Sequence, residues 1–178
     1  MSKVFAFHYM FSGCDKLTNL DGLENWNTSG EPSFSMMFYG SAIESTEPIK
    51  NWNTSNAMSM SAMFSYCNNL TNIELLWDTS NVTNMSSMFS DMKNLEEVDI
   101  SSFDTSKVTN FANMFNGSTK LNHIYVGDKW DTSANTGATN NYFPATSNLP
   151  NFSNTNPSYR DLSYAHTGEG GYLTLKTN

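Results

Sequence analysis

Apolar residues along the chain follow two alternating rhythms. In the first they recur at i, i+3, i+6 and i+7. Val4, Phe7, Met10 and Phe11 have this spacing, as do Val82, Met85, Met88 and Phe89, and Val108, Phe111, Met114 and Phe115. Ala57, Met60, Met63 and Phe64 repeat it with a weaker first position. The spacing predicts one face of a short helix, with the Thr-Ser pairs upstream making Ser80 and Ser106 N-cap residues. A helix of about three turns is unstable alone in water, so each must lean on a neighbour. The second rhythm is strand-like. Leu95, Val98, Ile100 and Phe103 are matched by Leu121, Ile124, Val126 and Trp130, and by Leu70, Ile73, Leu75 and Trp77 with one residue lost. Leu17, Leu20, Leu23 and Trp26 keep the outer positions. Ile43, Thr46, Ile49 and Trp52 are the loosest copy, and Pro48 there lacks a ladder donor, so strand pairing is predicted to be weakest at that point.

Two markers tie these rhythms into one repeat. The first is an aromatic residue followed by Asn or Asp and then Thr-Ser, at Trp26, Trp52, Trp77, Phe103 and Trp130, in steps of 26, 25, 26 and 27 residues. The second is Met-Phe, with its phenylalanines at Phe11, Phe38, Phe64, Phe89 and Phe115, in steps of 27, 26, 25 and 26; Tyr142-Phe143 reads as a degenerate sixth instance. Each unit is then a short strand, a turn and a short helix, and none can bury its apolar face by itself. Stacking buries a continuous core. The expected fold is an α/β solenoid with a parallel sheet on one face, strands about 4.8 Å apart, and short helices on the other. Residues 1–130 hold about five repeats of 25–27 residues, and 131–178 form an irregular C-terminal cap ending in a strand at Tyr172–Leu175. The repeat-invariant aromatics Trp26, Trp52, Trp77, Phe103 and Trp130 are expected to form a buried spine, the lesser alternative being an exposed stacking platform for sugars. Met1-Ser2-Lys3 opens directly on a repeat, which suggests a fragment of a longer exported chain.

Composition narrows the function. Lys and Arg number 9 against 17 Asp and Glu, a formal charge of −8 over 178 residues. That excludes the basic patches that nucleic acids and anionic membranes require, and no run is long enough to insert in a bilayer. Cys14 and Cys67 occupy equivalent positions two repeats apart, beyond the reach of a disulfide, and are expected to be free and buried. His8, His123 and His166 are not at metal-ligand spacing with one another, with Cys or with carboxylates, and no hydrolase or phosphate-binding motif is present. No enzyme activity, metal or cofactor is expected.

The residues flanking the central strand position point away from the core. One column is Asp21, Glu47, Glu74, Asp99 and Tyr125; the other is Asn19, Ser45, Asn72, Glu97 and His123. Four carboxylates in a row repel one another. They are either a solvated, edge-protecting face or a docking strip for a basic partner or a cation. The candidate binding residues are Asp21, Glu47, Glu74, Glu97, Asp99, His123 and Tyr125.

The unit LEEVDISSFDTSKVTNFANMF at Leu95–Phe115, with the core W-D/N-T-S-N-V-T-N-M-x-x-M-F, resembles the repeat of the BspA-type leucine-rich-repeat surface proteins of bacteria. The ending HTGEGGYLTL at His166–Leu175 resembles the close of such arrays. The resemblance covers residues 4–133 most strongly. It implies a leucine-rich-repeat-like, right-handed arc, export to the cell surface, and adhesion to a host or microbial protein or glycan through the sheet face. The rival reading is structural: a spacer or weakly self-associating stalk.

Overall fold

A computed structural model describes residues 7–30, 32–138, 141–144, 148–152, 161–169 and 171–177. Val4 and Met1 to Lys3 lie outside the described residues. The strand rhythm becomes β1 (Asn72–Glu74), β2 (Glu97–Ile100), β3 (His123–Val126) and β4 (Thr174–Leu175). They form one four-stranded parallel sheet in that order. Register follows the repeat: Ile73 pairs with Val98 and Val98 with Ile124, all buried. The first two repeats contribute no strand. In their place are 3-10 turns at Leu23–Asn25 and Glu47–Ile49. Pro48 sits in the second turn, which draws the chain out of the ladder and leaves β1 as the sheet edge.

The expected helices are absent: among the described residues there is no α-helix. Each predicted helix is a run of tight turns. In the second repeat the Met37 amide donates to Phe34 O (3.2 Å), Tyr39 to Met36 O (3.1 Å) and Ser41 to Phe38 O (2.9 Å). A turn that closes between i and i+3 puts both its ends on the same side, and this is why the spacing resembles a helix. Phe34 and Met37, Met60 and Met63, Met85 and Met88, and Phe111 and Met114 are such pairs, all buried. The third residue of alternate turns, such as Met36 after Phe34 and Gly40 after Phe38, has positive φ, as a type II turn requires. One column of these is Tyr9, Met36, Ala62, Ser87 and Asn113 (φ 53–62°); the other is Gly13, Gly40, Tyr66, Asp91 and Gly117 (φ 56–78°). Ser80 and Ser106 cap nothing. Their amides donate to Asp78 Oδ1 (3.0 Å) and Asp104 Oδ1 (3.1 Å), closing Asx turns.

Other amides tie the repeats together: those of Met58, Thr83, Thr109 and Thr136 donate back to the preceding repeat, and the columns within the turns point to the next one. Tyr9 N–H donates to Ser35 O, Met36 to Ser61 O, Ala62 to Ser86 O and Ser87 to Ala112 O, all within 2.8–3.1 Å. A neighbouring column runs through Phe11, Phe38, Phe64, Phe89 and Phe115, whose amides donate to Met37, Met63, Met88, Met114 and Tyr142 carbonyls. Buried threonines add a further ladder. Thr28, Thr54, Thr79 and Thr105 each donate to the carbonyl of Asn53, Asp78, Asp104 and Asp131 respectively, at 2.7–2.9 Å.

Inside, the marker aromatics stack. Phe11, Phe38, Phe64, Phe89, Phe115 and Phe143 form one file with successive centroids 5.5–6.3 Å apart and planes within 11°. Phe143 therefore fills the sixth Met-Phe position. Trp26, Trp52 and Trp77 stack at 6.5 Å. Trp52, Trp77 and Phe103 are buried, while Trp26 and Trp130 are partly so. The Trp52 and Trp77 indoles donate to Leu23 O and Ile49 O. Phe103 has no such donor, and the Ser102 hydroxyl binds Leu75 O (3.0 Å) in its place. Both cysteines are free; Cys67 is buried, but Cys14 is only half-buried because it lies in the first repeat, packed from one side. Beyond β3, Tyr172 packs on Phe143 (4.9 Å) and Tyr164 (5.0 Å), and the Trp130 indole donates to Ala165 O.

Candidate functional site

The sheet places its outward side chains in two columns. Asn72, Glu97 and His123 form one; Glu74, Asp99, Tyr125 and Thr174 form the other. These are the columns expected from strand alternation, apart from their first members. Asp21 is exposed in a turn outside the sheet, where its amide donates to Asn19 Oδ1 (3.3 Å). Glu47 belongs to the 3-10 turn beside the edge of β1.

Between these elements lies an open trough of about 770 Å³. Glu44 to Glu47 wall it at one end and Leu175 and Lys176 at the other; Glu74, Glu97, Asp99 and Tyr125 line it between. It exists because the ladder breaks at Pro48, so that Ser45 and Thr46 do not continue the sheet.

The carboxylates do not form an unrelieved row. Lys50 Nζ sits 2.7 Å from Glu74 Oε2 and 3.8 Å from Glu47 Oε2, and Lys176 pairs with Asp99. The hydrogen bond that Lys50 donates to Glu74 raises the Lys50 pKa, and the one that Lys176 donates to Asp99 raises that of Lys176. Burial pushes the Asp99 carboxyl up, but Lys176 and the Ser101 hydroxyl and amide outweigh it and hold Asp99 below the usual carboxylate range. The repulsion expected from the sequence is thus relieved by two lysines that lie outside the strand columns. Lys50 follows the 3-10 turn and Lys176 follows β4, so neither falls in register with the acids, and strand spacing could not find them. Glu44 and Thr174 escaped for the same reason. Glu97 Oε1 is 3.6 Å from His123 Nδ1, too long for a hydrogen bond. His123 and Tyr125 stack face to face, 5.6 Å apart with planes within 7°.

The trough therefore offers carboxylates, hydroxyls, the Lys176 ammonium and the Tyr125 ring, with Lys50 and His123 attached to its lining through Glu74 and Tyr125. Such groups can hydrogen-bond, pair charge and stack. Among the described residues, no three His, Cys, Asp or Glu side chains are grouped to hold a metal ion, and no helix is long and apolar enough to cross a membrane.

A family model described as "Mycoplasma protein of unknown function, DUF285" matches residues 1–75 and again 33–155. The two matches overlap, as a model built on one repeating unit would when laid on the array at two offsets. No curated protein and no solved structure matches the chain.

Proposed function

Since the chain belongs to the DUF285 family, we propose that it is a non-catalytic recognition module of a bacterial surface protein, binding a host or microbial protein or glycan through the trough on its sheet face. In this reading the stacked repeats are a leucine-rich-repeat-like, right-handed solenoid of the BspA type. Residues 1–130 carry the array, 131–178 close it, and the segment works outside the cell as part of a longer exported protein.

One observation supports the reading above the others. The recurring polar residues are occupied with stacking: Thr28 to Thr105 bind the next repeat, and the Asn or Asp before each closes an Asx turn. In the outward sheet columns Glu74 and Asp99 are tied by Lys50 and Lys176, but the contact does not recur, and the side chain changes from repeat to repeat: Asn72, Glu97, His123; Glu74, Asp99, Tyr125, Thr174. A constant backbone presenting changing side chains in a concave trough is the arrangement that repeat proteins use for binding.

The test is a surface-binding screen against extracellular-matrix proteins, mucin and glycans, run with the parent and with Glu97→Gln/Tyr125→Ala. Both positions are partly exposed and outside the Lys50 and Lys176 pairs, so folding should be kept, as circular dichroism would check. Loss of capture in the folded variant is expected. Equal capture by both proteins would remove the trough from the reading, and reversible self-association across a concentration series without any capture would favour the spacer or stalk.

A further inference from the structure

The turn face carries a second set of side chains that the repeat does not explain. Ser12, Tyr39, Ser65, Ser90 and Asn116 occupy equivalent positions, as do Gly13, Gly40, Tyr66, Asp91 and Gly117. In the first column only the second repeat has an aromatic residue, and in the second column only the third repeat has one. The second column has positive φ throughout, which suits glycine; Tyr66 holds φ 64° with a bulky side chain. Its ring gains little from the core, being 43% exposed. Its hydroxyl faces the Asp91 carboxylate, which raises the Tyr66 pKa, but a glycine would hold the same turn without strain, so the ring itself is poorly explained by stability.

The two tyrosines meet. Their ring centroids are 5.3 Å apart with planes at 59°, so each presents part of a face at an angle to the other. They flank a cleft of about 310 Å³, of which Ser65, Ser90 and Asp91 are also lining residues. Ser65 is 3% exposed, and its hydroxyl has no hydrogen-bond partner among the described residues. Asp91 accepts from Ser90 Oγ (2.9 Å) on one oxygen and from Lys93 Nζ (2.8 Å) on the other. The cleft is near the lower limit of ligand sites, about 300 Å³, which is too small for a folded partner.

We propose that this cleft is a subsite for an uncharged sugar ring. The ring's C–H face lies on Tyr66 with Tyr39 at its flank, and its hydroxyls reach Asp91 and Ser65. Tyrosine rings suit a ligand that is apolar on its face and polar at its rim. Two aromatic faces beside a carboxylate would also suit a quaternary ammonium ion, but Lys93 already neutralises Asp91, so a cation loses the charge partner that a sugar does not need. The site is separate from the sheet-face trough and does not rest on it.

Saturation-transfer NMR tests this with glucose, galactose, mannose and N-acetylglucosamine, each alone, and with tetramethylammonium as the cation probe. At least one sugar is expected to receive saturation. Tyr66→Gly, which places at this corner the residue used in three other repeats, should weaken binding of that sugar about tenfold or more without lowering the thermal midpoint. Tyr66→Phe, keeping the ring, should bind within about threefold of the parent. No saturation of any of the four sugars overturns the proposal. So does equal binding by Tyr66→Gly, or a response confined to tetramethylammonium.

Discussion

Replacing Ser87 by glycine separates a turn from a helix by the sign of its effect. Ser87 has φ 56°, is partly exposed, and its hydroxyl has no partner among the described residues. A left-handed conformation costs an L-residue about 1–2 kcal/mol. Glycine removes that cost but loses about 0.4–1 kcal/mol by enlarging the freedom of the unfolded chain. The difference is a gain of about 0.8 kcal/mol at mid-range, from about 0 to 1.6, or a rise of roughly 2–3 °C in the thermal midpoint for a chain of this size. If residues 82–89 were helical, Ser87→Gly would instead destabilise by about 0.5 kcal/mol and Ser87→Ala would stabilise by a similar amount. Urea titrations of parent, Ser87→Gly and Ser87→Ala, followed by tryptophan fluorescence and compared at equal m-value, measure both signs. A destabilised glycine variant together with a stabilised alanine variant would refute the turn geometry.

Thr79 is fully buried and donates to Asp104 O at 2.8 Å; Thr79→Val leaves that carbonyl without its donor and should cost about 1–3 kcal/mol, whereas Thr79→Ser should lose only about 0.8 kcal/mol for the methyl group, as denaturant melts would show. A Cβ on Gly127 would stand 2.1 Å from Ser101 O in the adjacent strand connection, so Gly127→Ala should destabilise by at least about 2 kcal/mol, while Gly40→Ala, with open space around its Cβ, should cost only about 1 kcal/mol for its positive φ. The Ser80, Ser106 and Ser133 hydrogen bonds hold Asp78, Asp104 and Asp131 below the usual carboxylate range, and Asp99 is also depressed; their stabilisation is present above about pH 4 and lost as pH falls through the lower folded values, so melts should be level from neutral pH to about 5 and fall below about 4, and a level profile down to pH 2 would contradict it. Burial pushes the Cys67 thiol up to about 11, so iodoacetamide at neutral pH should label half-buried Cys14 and reach Cys67 only after unfolding, as mass spectrometry of the peptides would report.

Much of the sheet was legible because strand alternation and repeat register depend on spacing alone. Ile73, Val98 and Ile124 were placed inward, and Glu74 and Asp99 outward, from their position within the unit. The effect of Pro48 was legible too, since a missing N–H weakens a ladder wherever it occurs. The turn segments were misread for a definite reason: tight turns and an α-helix both bring i and i+3 to one side, so Met85 and Met88 fit either. What separates them is the sign of φ at Ser87 or Ala62, and neither residue type announces a left-handed backbone. Glycine at Gly13, Gly40 and Gly117 did not separate them either, because it lies two residues past Met-Phe, where the end of a helix also favours it. The ion pairs of the trough were hidden because Lys50 and Lys176 come from segments whose path depends on where the 3-10 turn and β4 settle.

The amide columns of the turn segments also give the molecule an electrical direction. Each peptide in a column has its carbonyl toward the preceding repeat and its N–H toward the following one, from Tyr9 to Ser87 and from Phe11 to Phe115. Peptide dipoles of about 3.5 D laid head to tail add together, as they do along a helix axis. Here the negative end lies at the first repeat and the positive end at the last, the reverse of a helix running the same way. The column through Met58, Thr83, Thr109 and Thr136 runs the other way and offsets part of this sum, and the parallel strands contribute little, because their amides alternate in direction. A negative group is therefore favoured beside the Phe115 end of the columns and a positive one beside the Tyr9 end, as at the two ends of a helix but with the poles exchanged.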